Sequence, residues 1–258
     1  MNLANKVAVI TGGSGQIGQA TARRLASQGA RVFSLVRRNL VEAQQLVDAL
    51  PNPQLDHRVL LVDVKDSVLV RRAAEIINKL AGRCDILVNS AGIALHPPNI
   101  LDLPDEQFDE IIAINLKGPW LMIKEFHHLL KSTGDGLVIN LSSVASVRTR
   151  STSTFYSTTK AGLNAMTESL AKAFAPDIRV VALAPGLLEK PVSGYPFMSD
   201  QQFSEFTINN SVYESHMASN PSKRLCTADD VAGAIESLAT KIKFYNGHLL
   251  MLDGGITL

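Results

Sequence analysis

The chain has 258 residues, of which 46% are hydrophobic and 19% charged, values suited to a globular protein and wrong for a disordered one. A chain of that size buries about 70–75% of its unfolded surface without staples, and an α/β fold can hold it as one domain, 1–258. Twenty-five Lys and Arg against 24 Asp and Glu leave a formal charge of +1, which argues against a nucleic-acid or anionic-membrane partner.

A first strand over 6–11 runs into Thr11-Gly12-Gly13-Ser14-Gly15-Gln16-Ile17-Gly18, which opens a helix over 17–28 that stops at Gly29. Gly13, Gly15 and Gly18 satisfy G-x-G-x-x-G between a strand and a helix. Without Cβ atoms the backbone can approach a pyrophosphate, whose charge the helix N-terminus favours. A tight glycine turn with no ligand is the other reading. The second strand, over 31–36, ends in Leu35-Val36-Arg37-Arg38, and Asn39 with Glu42 resembles a capping box opening the next helix.

Strands follow over 58–62 and 85–89, the latter leading into Asn89-Ser90-Ala91-Gly92. A long helical pattern over 105–131 is broken near 115–119. A strand over 137–141 leads to Ser142-Ser143, and a helix over 156–175 stops at Pro176. After a strand over 179–184 comes an irregular segment, 187–223, then a helix opened by the capping box Thr227 and Asp230, then a strand over 248–252. Most strands are apolar on both faces, as in a parallel sheet covered on both sides. Their alternation with helices predicts a single-domain α/β fold, a doubly wound parallel sheet (Rossmann-like) with helices on both faces. Such sheets bind ligands at the carboxyl ends of their strands.

Segment 187–223 carries Tyr195, Phe197, Phe203, Phe206 and Tyr213, many large rings for a solvated loop. It reads as a substrate-binding lid and implies a small-molecule substrate with an apolar portion; a poorly packed insertion is the alternative. No apolar run approaches the roughly 20 residues of a membrane span, and no signal-peptide pattern opens the chain. Two cysteines, Cys84 and Cys226, make no disulfide framework. A cytoplasmic protein is expected. His127 and His128 are adjacent on a helix and point apart, so no metal site is predicted there. His96, after the fourth strand, reads as a surface loop residue.

Tyr156 and Lys160 stand at i and i+4 on one helix. A free phenol titrates near about 10 and is a poor acid or base at neutral pH. An ammonium roughly 5 Å away, at an effective dielectric near 20, stabilises the phenolate by about 3 kcal/mol. That corresponds to about two pKa units. The Ser143 hydroxyl at the end of the fifth strand could hold a substrate oxygen beside the phenol. Taken alone, Tyr-x-x-x-Lys is equally an ordinary surface pair.

Together these motifs, in this order, resemble the short-chain dehydrogenase/reductase family from Leu3 to Gly255: the glycine loop, Asp63-Val64, Asn89-Ser90-Ala91-Gly92, Asn115, Ser143, Tyr156-x-x-x-Lys160, Pro185-Gly186 and Asp253-Gly254-Gly255. The resemblance implies an NAD(P)-dependent oxidoreductase interconverting an alcohol and a ketone. It implies Tyr156 as acid/base and Lys160 as the residue that lowers its pKa and holds the nicotinamide ribose. Ser143 would polarise the substrate oxygen, and Asn115 would hold a water in a proton relay. Gly12, Ser14, Gly15, Gln16, Ile17 and Gly18 would meet the cofactor phosphates. Asp63 and Val64 would meet the adenine, Asn89, Ala91 and Gly92 the middle of the cofactor, and Pro185, Gly186 and Leu188 the carboxamide. Gln16 stands where the family's commonest loop has glycine, Ser90 where a second asparagine is frequent, and Lys190 where a threonine often bonds the carboxamide.

NAD-binding members usually place an aspartate at the position of Val36. Valine cannot bond ribose hydroxyls, while Arg37 and Arg38 suit a 2′-phosphate, so NADP is favoured over NAD. The family also implies a homo-dimer or homo-tetramer through helices around 120–131 and 156–174. The competing function is a cofactor-binding regulatory or scaffold protein on the same fold, against which Ser143, Tyr156, Lys160 and Asn115 together weigh.

Overall fold

Among the described residues, seven short runs of aliphatic and β-branched residues form strands: β1 Val7–Thr11, β2 Arg31–Val36, β3 Arg58–Leu61, β4 Ile86–Asn89, β5 Gly136–Leu141, β6 Ile178–Pro185 and β7 Leu249–Leu252. They make one parallel sheet in the order β3-β2-β1-β4-β5-β6-β7. The computed structural model describes residues 3–95, 97, 99–149, 153–189 and 210–258, the side chains of 210–212 excepted. His96, Lys190 and the aromatic residues Tyr195, Phe197, Phe203 and Phe206 lie outside the described residues, as does 190–209 of the expected lid 187–223; within the rest of that segment, read as irregular, Asn210–Ser219 is a helix.

The helices are α1 Gln16–Ser27, α2 Leu40–Asp48, α3 Ser67–Ala81, α4 Asp105–Ile112, α5 Gly118–Lys131, α6 Thr154–Phe174, α7 Asn210–Ser219 and α8 Ala228–Thr240. Alternate residues of each strand feed two cores, because successive strand side chains point to opposite faces. Ala8, Ile10, Val32 and Ile139 pack with Leu25 of α1 and Ile235 of α8. Val9, Phe33, Leu87 and Val138 pack on the other face with Ile77 of α3 and Phe126 of α5. Both faces of the sheet are therefore covered, as the doubly apolar strands predict.

Two local expectations are corrected. Asn39 precedes α2 in the left-handed region, φ 57°, and its side chain caps nothing. An N-cap side chain reaches the first-turn N–H groups from an extended backbone, which Asn39 does not have. The pattern over 105–131 is not broken either: a π-helical turn, Ala113–Lys117, joins α4 to α5. Pro119 has no N–H to give the Asn115 carbonyl, and the Gly118 N–H reaches back five residues to Ala113. Thr227 and Asp230 do form the reciprocal capping box at α8.

The strand order reverses direction between β1 and β4, so a crevice opens beyond their carboxyl ends, at Thr11 and Asn89.

Candidate active site

Thr11 ties the two sides of this crevice together. Its Oγ1 accepts the N–H groups of Ser90 and Ala91, each at 3.1 Å. Gly12 follows at φ +64°, where a Cβ would lie 2.9 Å from the Ala91 backbone. Only glycine both adopts that conformation readily and lets the β1 and β4 loops touch. Gly18, in the first turn of α1, lies against the loop it follows: a Cβ there would be 2.3 Å from the Gly12 carbonyl oxygen.

Gly15 precedes α1 in extended conformation with no side chain to cap it. The N–H groups of Gln16, Ile17 and Gly18 are thus first-turn donors without intrahelical acceptors, aimed into the crevice mouth. Gln19 fixes the loop by donating from Nε2 to the Ser14 carbonyl at 2.6 Å. Gln16, which stands where the family's commonest loop has glycine, occupies the first helical position. An uncapped, glycine-walled helix N-terminus is the donor set that a dinucleotide pyrophosphate requires, and the residues present fit that group.

At the end of β2, Val36 is buried and Arg37 and Arg38 are exposed. Arg37 reaches Glu110 of α4 at 3.5 Å, and Lys65 meets the same carboxylate oxygen at 3.2 Å. Arg38 has no ion pair with any described residue. Asp63 folds its carboxylate onto the Lys65 N–H at 3.1 Å, while Val64 is buried against Gly118.

Asn89 turns into the sheet. Its Nδ2 donates to Asn140 Oδ1 at 2.8 Å, and Asn140 in turn donates to Thr167 Oγ1 at 2.9 Å. Asn89 Oδ1 is buried without a partner among the described residues. A cofactor contact at Asn89 therefore falls to its backbone or to that oxygen. Gly92 lies where a Cβ would come within 3.3 Å of Asn115 Oδ1 and 3.5 Å of Lys160 Nζ.

Asn115, in the π turn, clamps Ile93: Oδ1 accepts its N–H at 2.9 Å and Nδ2 donates to its carbonyl at 2.8 Å. Nδ2 also reaches Thr159 Oγ1 at 3.2 Å. The amide is thus committed to the protein, and the Asn115 carbonyl, deprived of its ordinary donor by Pro119, is the atom left for a relay.

Tyr156 and Lys160 stand one turn apart on α6. Lys160 is buried and donates to the Leu141 carbonyl at 2.7 Å. Its ammonium lies 5.6 Å from the centre of the Tyr156 ring. Burial lowers the Lys160 pKa to about 8. The Tyr156 phenol is pushed up by burial, against which a hydrogen bond with Ser143 pulls down. The ammonium's hydrogen bond goes to the Leu141 carbonyl and not to the phenol oxygen. Ser143 sits at the end of β5 in extended conformation, and its Oγ accepts the Ala145 N–H at 3.1 Å. With that lone pair occupied, its proton is free for the phenol oxygen.

Gly186 donates to the Leu252 carbonyl at 2.9 Å, and Leu188 bridges Cys226, so 186–189 are pinned beside β7 at the carboxyl edge. Tyr213 lies half-buried in α7. His127 packs on the Phe174 ring, 4.7 Å between centres, while His128 is exposed.

Spacing alone did not reveal Thr11, Asn140, Thr159 or Thr167 as supports of the site. For Thr11 and Asn140 the available signal was a polar residue in or at the end of an otherwise apolar buried strand, which has to find a partner; Thr159 and Thr167 lie on α6, where no such pattern marks them.

The sequence matches the short chain dehydrogenase family over residues 6–195. It is 33% identical over 252 residues to the granaticin polyketide synthase putative ketoacyl reductase 2 of Streptomyces violaceoruber, covering 96% of this chain and 95% of that one. It is 30% identical over 259 residues to an NAD-dependent glycerol dehydrogenase of Listeria innocua, covering 100% and 96%. The solved structure described as the crystal structure of gox2181 superposes with a TM-score of 0.88 at 27% identity, covering 99% of this chain and 97% of that one. The chain belongs to the short-chain dehydrogenase/reductase family. It is an NAD(P)-dependent oxidoreductase acting on CH–OH groups.

Proposed function

We propose that the chain interconverts an alcohol and a ketone, with Tyr156 as the acid/base, as one domain in the cytoplasm. The observation that carries this reading is the meeting of Ser143 and the Tyr156 phenol beside the buried Lys160 ammonium. When bound, the nicotinamide supplies or takes up the hydride at the substrate carbon. In reduction, Tyr156 gives its proton to the carbonyl oxygen and Ser143 donates a hydrogen bond to the same oxygen. In oxidation, the phenolate takes the alcohol proton back. Lys160 would hold the ribose hydroxyls of the bound cofactor and the Asn115 carbonyl would hold a water, so that both stand ready to restore the Tyr156 proton.

NADP is the favoured cofactor, because Val36 offers no carboxylate to a ribose and the exposed Arg38 beside it has no ion pair among the described residues. The phosphates would be held by Gly12, Ser14, Gly15, Gln16, Ile17 and Gly18, the adenine by Asp63 and Val64, and the carboxamide by Pro185, Gly186 and Leu188. The substrate carries an apolar portion, received by the aromatic residues of 187–223. A homo-dimer or homo-tetramer is expected through α5 and α6, near which Phe108 and Trp120 are 40% and 41% exposed.

The test is turnover of a panel of ketones and alcohols with NADPH, NADH and their oxidised forms, followed by cofactor absorbance. Binding of either dinucleotide without turnover of any member, under conditions where a control reductase works, would favour the regulatory alternative.

A further inference from the structure

The turn that carries Ser143 is held from outside by the same helix that carries Tyr156. Ser146 closes the short turn Val144–Ser146, and its hydroxyl donates to the Ser143 carbonyl at 2.6 Å. Its oxygen accepts from Asn164 Nδ2 at 2.9 Å. A serine hydroxyl has one proton, and here it goes to Ser143. Ser146 must therefore accept from the amide, which fixes how Asn164 is oriented. Asn164 follows Tyr156 and Lys160 at successive steps of four along α6, so phenol, ammonium and amide share one face.

The other amide atom, Asn164 Oδ1, is buried and has no partner among the described residues. A buried carbonyl left unsatisfied destabilises a fold. A leucine of similar size would avoid that penalty, so stability does not account for an asparagine here. What the amide does achieve is a cross-link between α6 and the Ser143 turn. Rotation of that turn would disturb both the Ala145 N–H bond to Ser143 Oγ and the direction of its hydroxyl.

We propose that Asn164 is a positioning residue, which acts through Ser146 to aim the Ser143 hydroxyl at the Tyr156 phenol. This inference rests on the reading of Ser143 and Tyr156 as the reacting pair. It is tested in the full-length enzyme with a ketone that the panel identifies, using Asn164→Leu, Ser146→Ala, Ser143→Ala and the double variant Ser143→Ala with Asn164→Leu. Asn164→Leu should keep or raise Tm, leave cofactor Kd unchanged and lower kcat roughly ten- to hundredfold, the scale on which small misplacements act. Ser146→Ala should lose a similar factor in kcat. In the Ser143→Ala background, Asn164→Leu should cause no further loss, because the group it positions is gone.

Full kcat in Asn164→Leu or Ser146→Ala, with Ser143→Ala impaired, overturns the inference and leaves the reading of the pair intact. A further loss of the same size in the Ser143→Ala background also overturns it, as does a collapse of Tm in Asn164→Leu. Undiminished kcat in Ser143→Ala instead removes the reading on which the inference rests.

Discussion

The Lys160 ammonium lies against the ring of Tyr156, 5.6 Å from its centre, while its hydrogen bond goes to the Leu141 carbonyl rather than to the phenol oxygen. A buried ammonium and a half-buried phenol thus share one wall: the phenol is held above its usual range and the ammonium falls to about 8.

That lowered value fixes a sign for stability. The unfolded chain keeps its lysine proton up to about 10.4, whereas the folded protein releases it from about 8. Between those values the unfolded state binds more protons, so stability rises with pH. The contribution amounts to about 3 kcal/mol across the window, absent in Lys160→Met. Urea unfolding of both proteins from pH 7.5 to 10.5 should show the wild type gaining on the variant. Parallel curves would mean that Lys160 titrates normally in the fold.

Tyr156→Phe removes the proton donor but keeps the ring, whose packing on α6 should preserve Tm. Positioned acid/base transfer contributes about a hundred- to ten-thousand-fold, and kcat should fall by that much with cofactor Kd unchanged. Turnover within a few-fold of wild type would require another acid.

In the proposed reading, cofactor choice rests on Arg38 and Val36. A hydrogen bond between charged groups changes affinity roughly ten- to hundredfold, so Arg38→Ala should weaken NADP by that factor and leave NAD nearly untouched. Val36→Asp should erode the preference further by repelling the 2′-phosphate. Fluorescence titration with both dinucleotides decides the matter, and tighter binding of NAD by the wild type sinks the assignment.

Gly18→Ala tests the phosphate loop. The added Cβ would stand 2.3 Å from the Gly12 carbonyl oxygen, so α1 must move away from the loop. Such overpacking costs about 1–3 kcal/mol. Tm should fall measurably and the affinity for either dinucleotide by at least about tenfold, since the first-turn N–H groups shift with the helix. Normal affinity in this variant would mean that the pyrophosphate binds elsewhere.

Much of the fold was legible in the chain. Each strand was placed to within a residue or so at either end, because a doubly covered parallel strand must be apolar throughout. The Tyr156–Lys160 spacing and the glycine loop were legible for the same kind of reason, as local patterns with a fixed geometry. Asn39 misled, since its left-handed backbone is dictated by the path of the chain and not by the neighbouring Glu42. The pattern over 105–131 was read as broken near 115–119, and nothing in the residues shows that the ladder can widen into a π turn there instead. Glu110, Asn140 and Asn164 were invisible as partners because each meets residues far away along the chain.

Thr11 has a mechanical consequence. By gripping Ser90 and Ala91 with one oxygen, it makes the ends of β1 and β4 a single stiff floor. The ordering of that floor is completed when the chain folds, so an arriving dinucleotide meets a mould already set and forfeits little freedom on the protein's side. A slackened floor, in Thr11→Val for instance, would surrender affinity through entropy alone, with every phosphate-binding N–H still in place.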